Sequence, residues 1–183
     1  MSSVNGTYSV IEKETTIDAR QYVDSYRDKA RVESFCRECD GYRRRWCCPP
    51  LSPALESRML SYSKVTIMAC VMTLEENDEP ISRAMEIMRP EILRVNKLLI
   101  ERERLTGGMA MGFAGNCTFC GDEPCTRPEG KPCRHPELVR PSLEAFGFDL
   151  VATARDLLGI DLLWSTDGRL PAHLTILTAL FHN

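Results

Sequence analysis

Met109-Ala110-Met111-Gly112-Phe113-Ala114 runs almost directly into Cys117-Thr118-Phe119-Cys120-Gly121-Asp122-Glu123-Pro124-Cys125, and seven further residues separate this from Cys133-Arg134-His135-Pro136. The opening residues read as a strand after the helix-stopping pair Gly107-Gly108, and the rest reads as a Gly- and Pro-rich loop. Four thiols within seventeen residues can converge on one point without help from distant chain. Thiolates are soft ligands, so such a loop selects zinc, cuprous copper or iron–sulfur clusters over hard cations such as magnesium.

On either side of this segment, strand and helix patterns interleave. Tyr8 to Ile11 alternates as a short strand. Asp18 is placed to cap a helix whose apolar positions Ala19, Tyr22, Val23, Tyr26 and Ala30 keep helical spacing, with Ile17 as its hydrophobic staple. That helix leads into a first cysteine loop, Cys36 to Pro50. Ser52-Pro53 opens a short helix to about Tyr62, and Lys64 to Thr73 reads as a strand. Pro80 to about Leu105 reads as a long helix that Pro90 kinks or restarts. A short helix closed by Gly147 and another from Asp149 to Gly159 follow. Asp161 to Trp164, the turn Asp167-Gly168 and the run Leu174 to Phe181 read as a terminal strand pair. The expected class is α/β or α+β: one mixed sheet packed by helices, in a single metal-binding domain, 1–183, with cysteine loops at 36–50 and 115–136.

A chain of 183 residues, 43% hydrophobic, suffices for one domain burying roughly 70% of its unfolded surface. A net charge of −3 and a pI near 5.7 provide no global attraction to nucleic acid or an anionic membrane. The longest apolar runs are too short to span a bilayer, and the first residues lack the basic and apolar regions of a secretory signal. An odd count of nine cysteines argues against a fully paired disulfide framework and for a reducing, cytoplasmic location.

The first cluster reads Cys36-Arg37-Glu38-Cys39, then Tyr42-Arg43-Arg44-Arg45-Trp46-Cys47-Cys48-Pro49-Pro50. Its Cys-x2-Cys turn points two sulfurs the same way, and Cys48 supplies a third; adjacent side chains diverge, so only one of Cys47 and Cys48 is expected to face the site. The second cluster, Cys117, Cys120, Cys125 and Cys133, is complete by itself. Its spacing matches neither the ferredoxin run nor the common zinc fingers. A [4Fe-4S] cluster and an all-thiolate zinc site both fit the residues.

Together these motifs, Cys-x2-Cys…Trp-x-Cys-Pro-Pro and Cys-x2-Cys-x4-Cys-x7-Cys-Arg-His-Pro, followed by Arg140-Pro141-Ser142-Leu143-Glu144-Ala145-Phe146-Gly147, resemble the predicted metal-binding family known as DUF2284. The resemblance spans roughly Cys36 to Ala152. It places the family's first motif on Cys36, Cys39, Trp46, Cys48, Pro49 and Pro50, and its second on Cys117, Cys120, Cys125, Cys133, Arg134, His135 and Pro136. Arg43 stands where glycine is expected after Tyr42, and Cys47 is an extra thiol. The resemblance implies metal binding and favours iron–sulfur at the second site; it implies no particular reaction.

Cys70 reads as an ordinary buried thiol, and Met85, Met88, Met109 and Met111 as core rather than a copper site. His135 is either a ligand or a helix cap; His173 and His182 belong to no constellation. Arg43-Arg44-Arg45 is either a solvated turn or a seat for an anionic group. There is no phosphate-binding glycine motif and no recognisable Ser–His–Asp triad. Three functions compete. The leading one is an iron–sulfur protein acting as a redox or electron-transfer accessory, with one or two [4Fe-4S] clusters and a redox partner protein or small molecule. The second is a zinc-stabilised binding module contacting single-stranded nucleic acid through Phe119, Arg127, Lys131 and Arg134, a partner the acidic residues of the same loop disfavour. The third is an enzyme using an open iron at Cys36, Cys39 and Cys48, with substrate near Trp46 and the arginines.

Overall fold

The computed structural model describes residues 4–5, 8–75, 78–115, 117, 119–121 and 123–183. Elements follow in the order β1 (Val4–Asn5), β2 (Tyr8–Asp18), α1 (Ala19–Tyr26), α2 (Lys29–Arg37), α3 (Pro53–Met59), β3 (Lys64–Leu74), α4 (Ala84–Thr106), β4 (Met109–Met111), α5 (Leu150–Leu158) and β5 (His173–His182). One sheet of strand order β1-β2-β3-β5-β4 organises them, and every ladder is antiparallel. The class is α+β. The expected mixed sheet is corrected: the one parallel pairing among the described residues is the isolated bridge between Gly112 and Ser142.

The sheet is covered on both faces. Val65, Ile67 and Ala69 of β3 and Leu177, Ala179 and Phe181 of β5 pack with Tyr22, Phe146 and Phe148 beneath α1 and α5. Cys70 and Met72 of β3 and Leu174 and Ile176 of β5 face the other way, onto Met88 and Ile92 of α4. Burial on both faces explains why β5 reads as an unbroken apolar run rather than an alternating one. Met88 lies in the α4 layer while Met109 and Met111 lie in the α1/α5 layer, so these methionines are core on opposite faces.

Local chemistry sets most boundaries. The Asp18 carboxylate accepts from the Gln21 N–H and Asp149 from the Ala152 N–H, as N-caps do. Gly107 ends α4 at φ 66°, the left-handed conformation that costs glycine nothing. Five expectations change. The helix after Asp18 divides at Arg27, because Asp28 caps a second helix by accepting from the Arg31 N–H. β2 runs seven residues beyond Ile11, its charged and β-branched stretch paired with β3 from Tyr8↔Leu74 to Asp18↔Lys64. Helix α4 passes through Pro90 without restarting, since Met88, Ile92 and Leu99 anchor it to the sheet on either side of the lost hydrogen bond. Asp161 to Trp164 forms no strand; β5 is instead flanked by β3 and β4. The short helix expected before Gly147 reduces to a 3-10 turn, Glu144–Phe146. No helix among the described residues is long and apolar enough to cross a membrane.

Candidate metal centre

Helix α2 carries Cys36 on its last turn, and the chain then winds through consecutive tight turns. Cys39 N–H donates to Cys36 O (3.1 Å), Tyr42 N–H to Cys39 O (3.0 Å), Arg44 N–H to Gly41 O (3.1 Å) and Cys48 N–H to Arg45 O (3.1 Å). Gly41 is buried at the centre of this winding. A Cβ there would lie 3.0 Å from the Cys48 sulfur and 3.7 Å from that of Cys39, so glycine lets both thiols close on the same point. Its N–H also points at the Cys39 sulfur, 3.5 Å away. Arg43 holds φ 58°, a conformation that favours glycine, in order to donate its N–H to Pro49 O (3.0 Å). The departure from glycine noted in the sequence therefore falls on a strained residue.

The second loop leaves β4 and returns across the first. Cys117, Cys120, Cys125 and Cys133 line one cavity of about 770 Å³, together with Arg44, Arg45, Trp46 and Arg134. Trp46 and the arginines thus face the second cluster, although they are close in sequence to the first. Backbone and side-chain donors reach the sulfurs: His135 N–H to Cys133 Sγ at 3.4 Å, the Phe119 N–H to Cys117, and the Arg134 guanidinium to Cys120.

Arg127 fastens the loops together. Its guanidinium donates to the carbonyls of Arg45, Cys48 and Pro50 and lies 5.5 Å from the centre of the Trp46 ring. Beside it, the buried Thr126 hydroxyl accepts from Trp46 Nε1 (3.3 Å) and donates to Pro132 O (2.8 Å). Neither role was legible in the sequence, where Arg127 read as a nucleic-acid contact. Lys131 pairs with Glu129 at 2.7 Å and Arg134 with Glu123 at 3.3 Å, so the other two cations of that reading are engaged within the loop.

Cys47 joins the clusters. Its side chain is buried while its sulfur stays 3.8 Å from that of Cys48, so the neighbouring thiols diverge only in part. Hydrogen bonds to Cys117 and Cys48, reinforced by burial, keep Cys47 protonated. The same bond lowers Cys117 to about 6, helped by the Phe119 N–H, Arg45 and His135. Cys48 is lowered to about 7 by Cys47, then by Arg45 and Arg127. Burial and then the charge of Glu144 push Cys36 up to about 11. Burial also raises Cys133. The Cys47 thiol, with Cys48 on one side and Cys117 on the other, is the electrostatic link between the loops.

Glu144 is the acidic group missed in the sequence. Its residue surface is partly exposed, but carboxylate oxygen Oε2 is enclosed and has no hydrogen-bond partner. Burial, with the Cys48 charge adding to it, pushes this carboxyl up to about 7. A cavity of about 180 Å³ bordered by Arg27, Lys29, Glu33 and Glu56 reaches it, the two cations being paired with Glu56.

All nine cysteines are free thiols. Among the described residues, no three Cys, His, Asp or Glu side chains stand in a ready coordination group, so loading either loop requires its side chains to draw inward. The donor chemistry fits a soft metal: unpaired thiols face a common cavity, and N–H groups are directed at the sulfurs. The other candidates are structural. Cys70 is buried against Glu91 and Arg94, His173 bonds Asp161 O, and His182 bonds Thr66.

The family model described as predicted metal-binding protein (DUF2284) matches residues 21–180, and the chain belongs to that family. No curated protein and no solved structure matches it.

Proposed function

We propose that this member of a predicted metal-binding family is an iron–sulfur protein serving as a redox accessory in the cytoplasm. Cys117, Cys120, Cys125 and Cys133 would hold a [4Fe-4S] cluster, and Cys36, Cys39 and Cys48 a second metal site. The observation that carries this reading is the placement of four free thiols on one cavity wall. Such a cluster supplies one-electron exchange with a partner.

The chain's own groups then have defined tasks. The N–H groups of His135 and Phe119 and the guanidinium of Arg134 stabilise thiolate charge, which raises a reduction potential. Arg44, Arg45 and Trp46 border the open side of the same cavity, where an acidic redox partner or small anion would approach. Arg127 keeps this wall in register with the first loop.

Anaerobic purification followed by iron and acid-labile sulfide assays tests the reading. The expected result is a brown protein with about four iron and four sulfide per chain at the second site. A colourless protein carrying stoichiometric zinc overturns it and leaves a zinc-stabilised module.

A further inference from the structure

The second loop stands between two open cavities. One, of about 770 Å³, is bordered by its four cysteines; the other, of about 640 Å³, runs past α3 and the end of α4 to Met109 of β4. Trp46, Cys133 and Val139 border both, so an exposed indole and one candidate ligand lie on the common wall. Arg44 and Arg89 border the first cavity, Arg58 and Arg104 the second, and all four are exposed. Arg44, Arg89 and Arg104 have no ion-pair partner among the described residues, and Arg58 bonds only the neutral Gly108 O and Tyr62 Oη. The bordering acids are mostly spent: Glu86 pairs with Arg83, Glu103 with Arg140 and Glu123 with Arg134, which leaves Asp40. On a chain of net charge −3, this face carries an excess of uncompensated positive charge.

The spacing of these cations decides what they fit. Arg89 and Arg104 lie on one helix, about 22 Å apart along its axis. No small anion bridges that span, whereas a protein footprint of roughly 800 Å² covers it. The ground between is apolar: Leu55, Pro132, Pro136 and Val139 line the second cavity with Trp46. An aromatic anchor on apolar ground, flanked by arginines, has the composition of a protein-binding hot spot. We propose that this face docks an acidic one-electron carrier protein, whose carboxylates meet Arg44, Arg58, Arg89 and Arg104 while its redox group rests over Trp46 and Cys133. One electron passes between carrier and cluster: one is oxidised as the other is reduced, and no bond forms or breaks. Transient redox contacts are small, and opposite charge speeds their encounter. The proposal rests on the reading of the second loop as an iron–sulfur site, and it chooses a protein over a small anion as the visitor.

Stopped-flow electron exchange between the anaerobically prepared, iron-loaded protein and flavodoxin, an acidic one-electron carrier, tests this in whichever direction the two potentials favour. Between about 20 mM and about 300 mM salt the second-order rate constant should fall at least about tenfold. Arg89→Glu and Arg104→Glu reverse charges with no side-chain partner among the described residues, so iron, sulfide and melting point should stay at wild-type values. At low salt each should slow the exchange about fivefold or more, and the pair more than either alone. A small neutral mediator should react with both variants at the wild-type rate. A wild-type rate in R104E, with R89E slowed, would mean that an anionic group uses only the cavity beside the cluster, and would overturn the docking face. So would a salt-independent rate, or failure to exchange with flavodoxin by protein that the neutral mediator still turns over. Absence of iron and sulfide after anaerobic preparation would overturn the iron–sulfur reading itself, and this proposal with it.

Discussion

The two cysteine loops solve the same problem with opposite means. Loop 36–50 is short and wound on itself: each turn is closed by a backbone bond, Gly41 sits buried at its centre, and the Ser142 N–H, from a segment nearly a hundred residues away, donates to Cys47 O. Loop 115–136 carries all four of its thiols in one stretch and opens onto a wide cavity walled by arginines of the other loop. The first is closed by its own backbone; the second borrows cations.

Cysteine substitutions break that comparison most directly. Cys125→Ser should abolish iron and sulfide at the second loop and leave the metal of the first, whereas Cys48→Ser should do the reverse; quantitative metal analysis of both variants checks it. Loss of the same metal population in both would mean one shared centre.

Next in size is the pH dependence of the metal-free protein. The Glu144 carboxyl is raised from 4.5 to about 7 in the folded chain, so the folded state holds its proton where the unfolded state has lost it. Its contribution is fully present below 4.5 and disappears as pH rises to 7. Glu144→Gln should therefore gain on wild type across that window, by up to about 3 kcal/mol, and keep a constant advantage above it. Urea unfolding at pH 5 and pH 8 measures this; an equal difference at both removes the buried carboxyl as the cause.

Arg127→Ala removes the donor to three carbonyls and should cost about 2 kcal/mol. The same urea experiment reads it, and the loss should be accompanied by increased Trp46 solvent exposure in fluorescence. The smallest effect is expected of Arg43→Gly. Relief of the left-handed backbone at φ 58° should stabilise the first loop by up to about 1 kcal/mol and leave the second unchanged. A thermal melt that falls instead would assign Arg43 a stabilising role through its contact with the Tyr42 ring, 5.5 Å away.

What was legible in the chain is what nearest neighbours decide. Asp18 and Asp149 cap helices because a carboxylate three residues ahead of a free N–H needs no tertiary help. The cysteines, too, announce themselves by spacing. The length of β2 was hidden because Glu12, Lys13 and Glu14 break the apolar alternation; β3 supplies their backbone partner, and Arg94 and Arg102 of α4 pair with the two glutamates. The division between α1 and α2 was hidden by apolar spacing that continues across Asp28. Strand order, the Arg127 clasp and the approach of Glu144 depend on segments distant in sequence, and no local pattern encodes such a meeting. Even the assignment of Trp46 and the arginines followed this rule: their sequence neighbours are the first cluster's cysteines, yet the chain's winding turns them toward the second.

The Arg127 guanidinium, which spans both loops, has a thermodynamic consequence. Two receptors sharing one rivet are not independent: ordering either of them prepays part of the entropy the other owes on loading. Occupancy against free metal should then rise more steeply than for separate sites, with a Hill slope above one that falls to one when the rivet at 127 is cut. By linkage the effect must be equal in both directions.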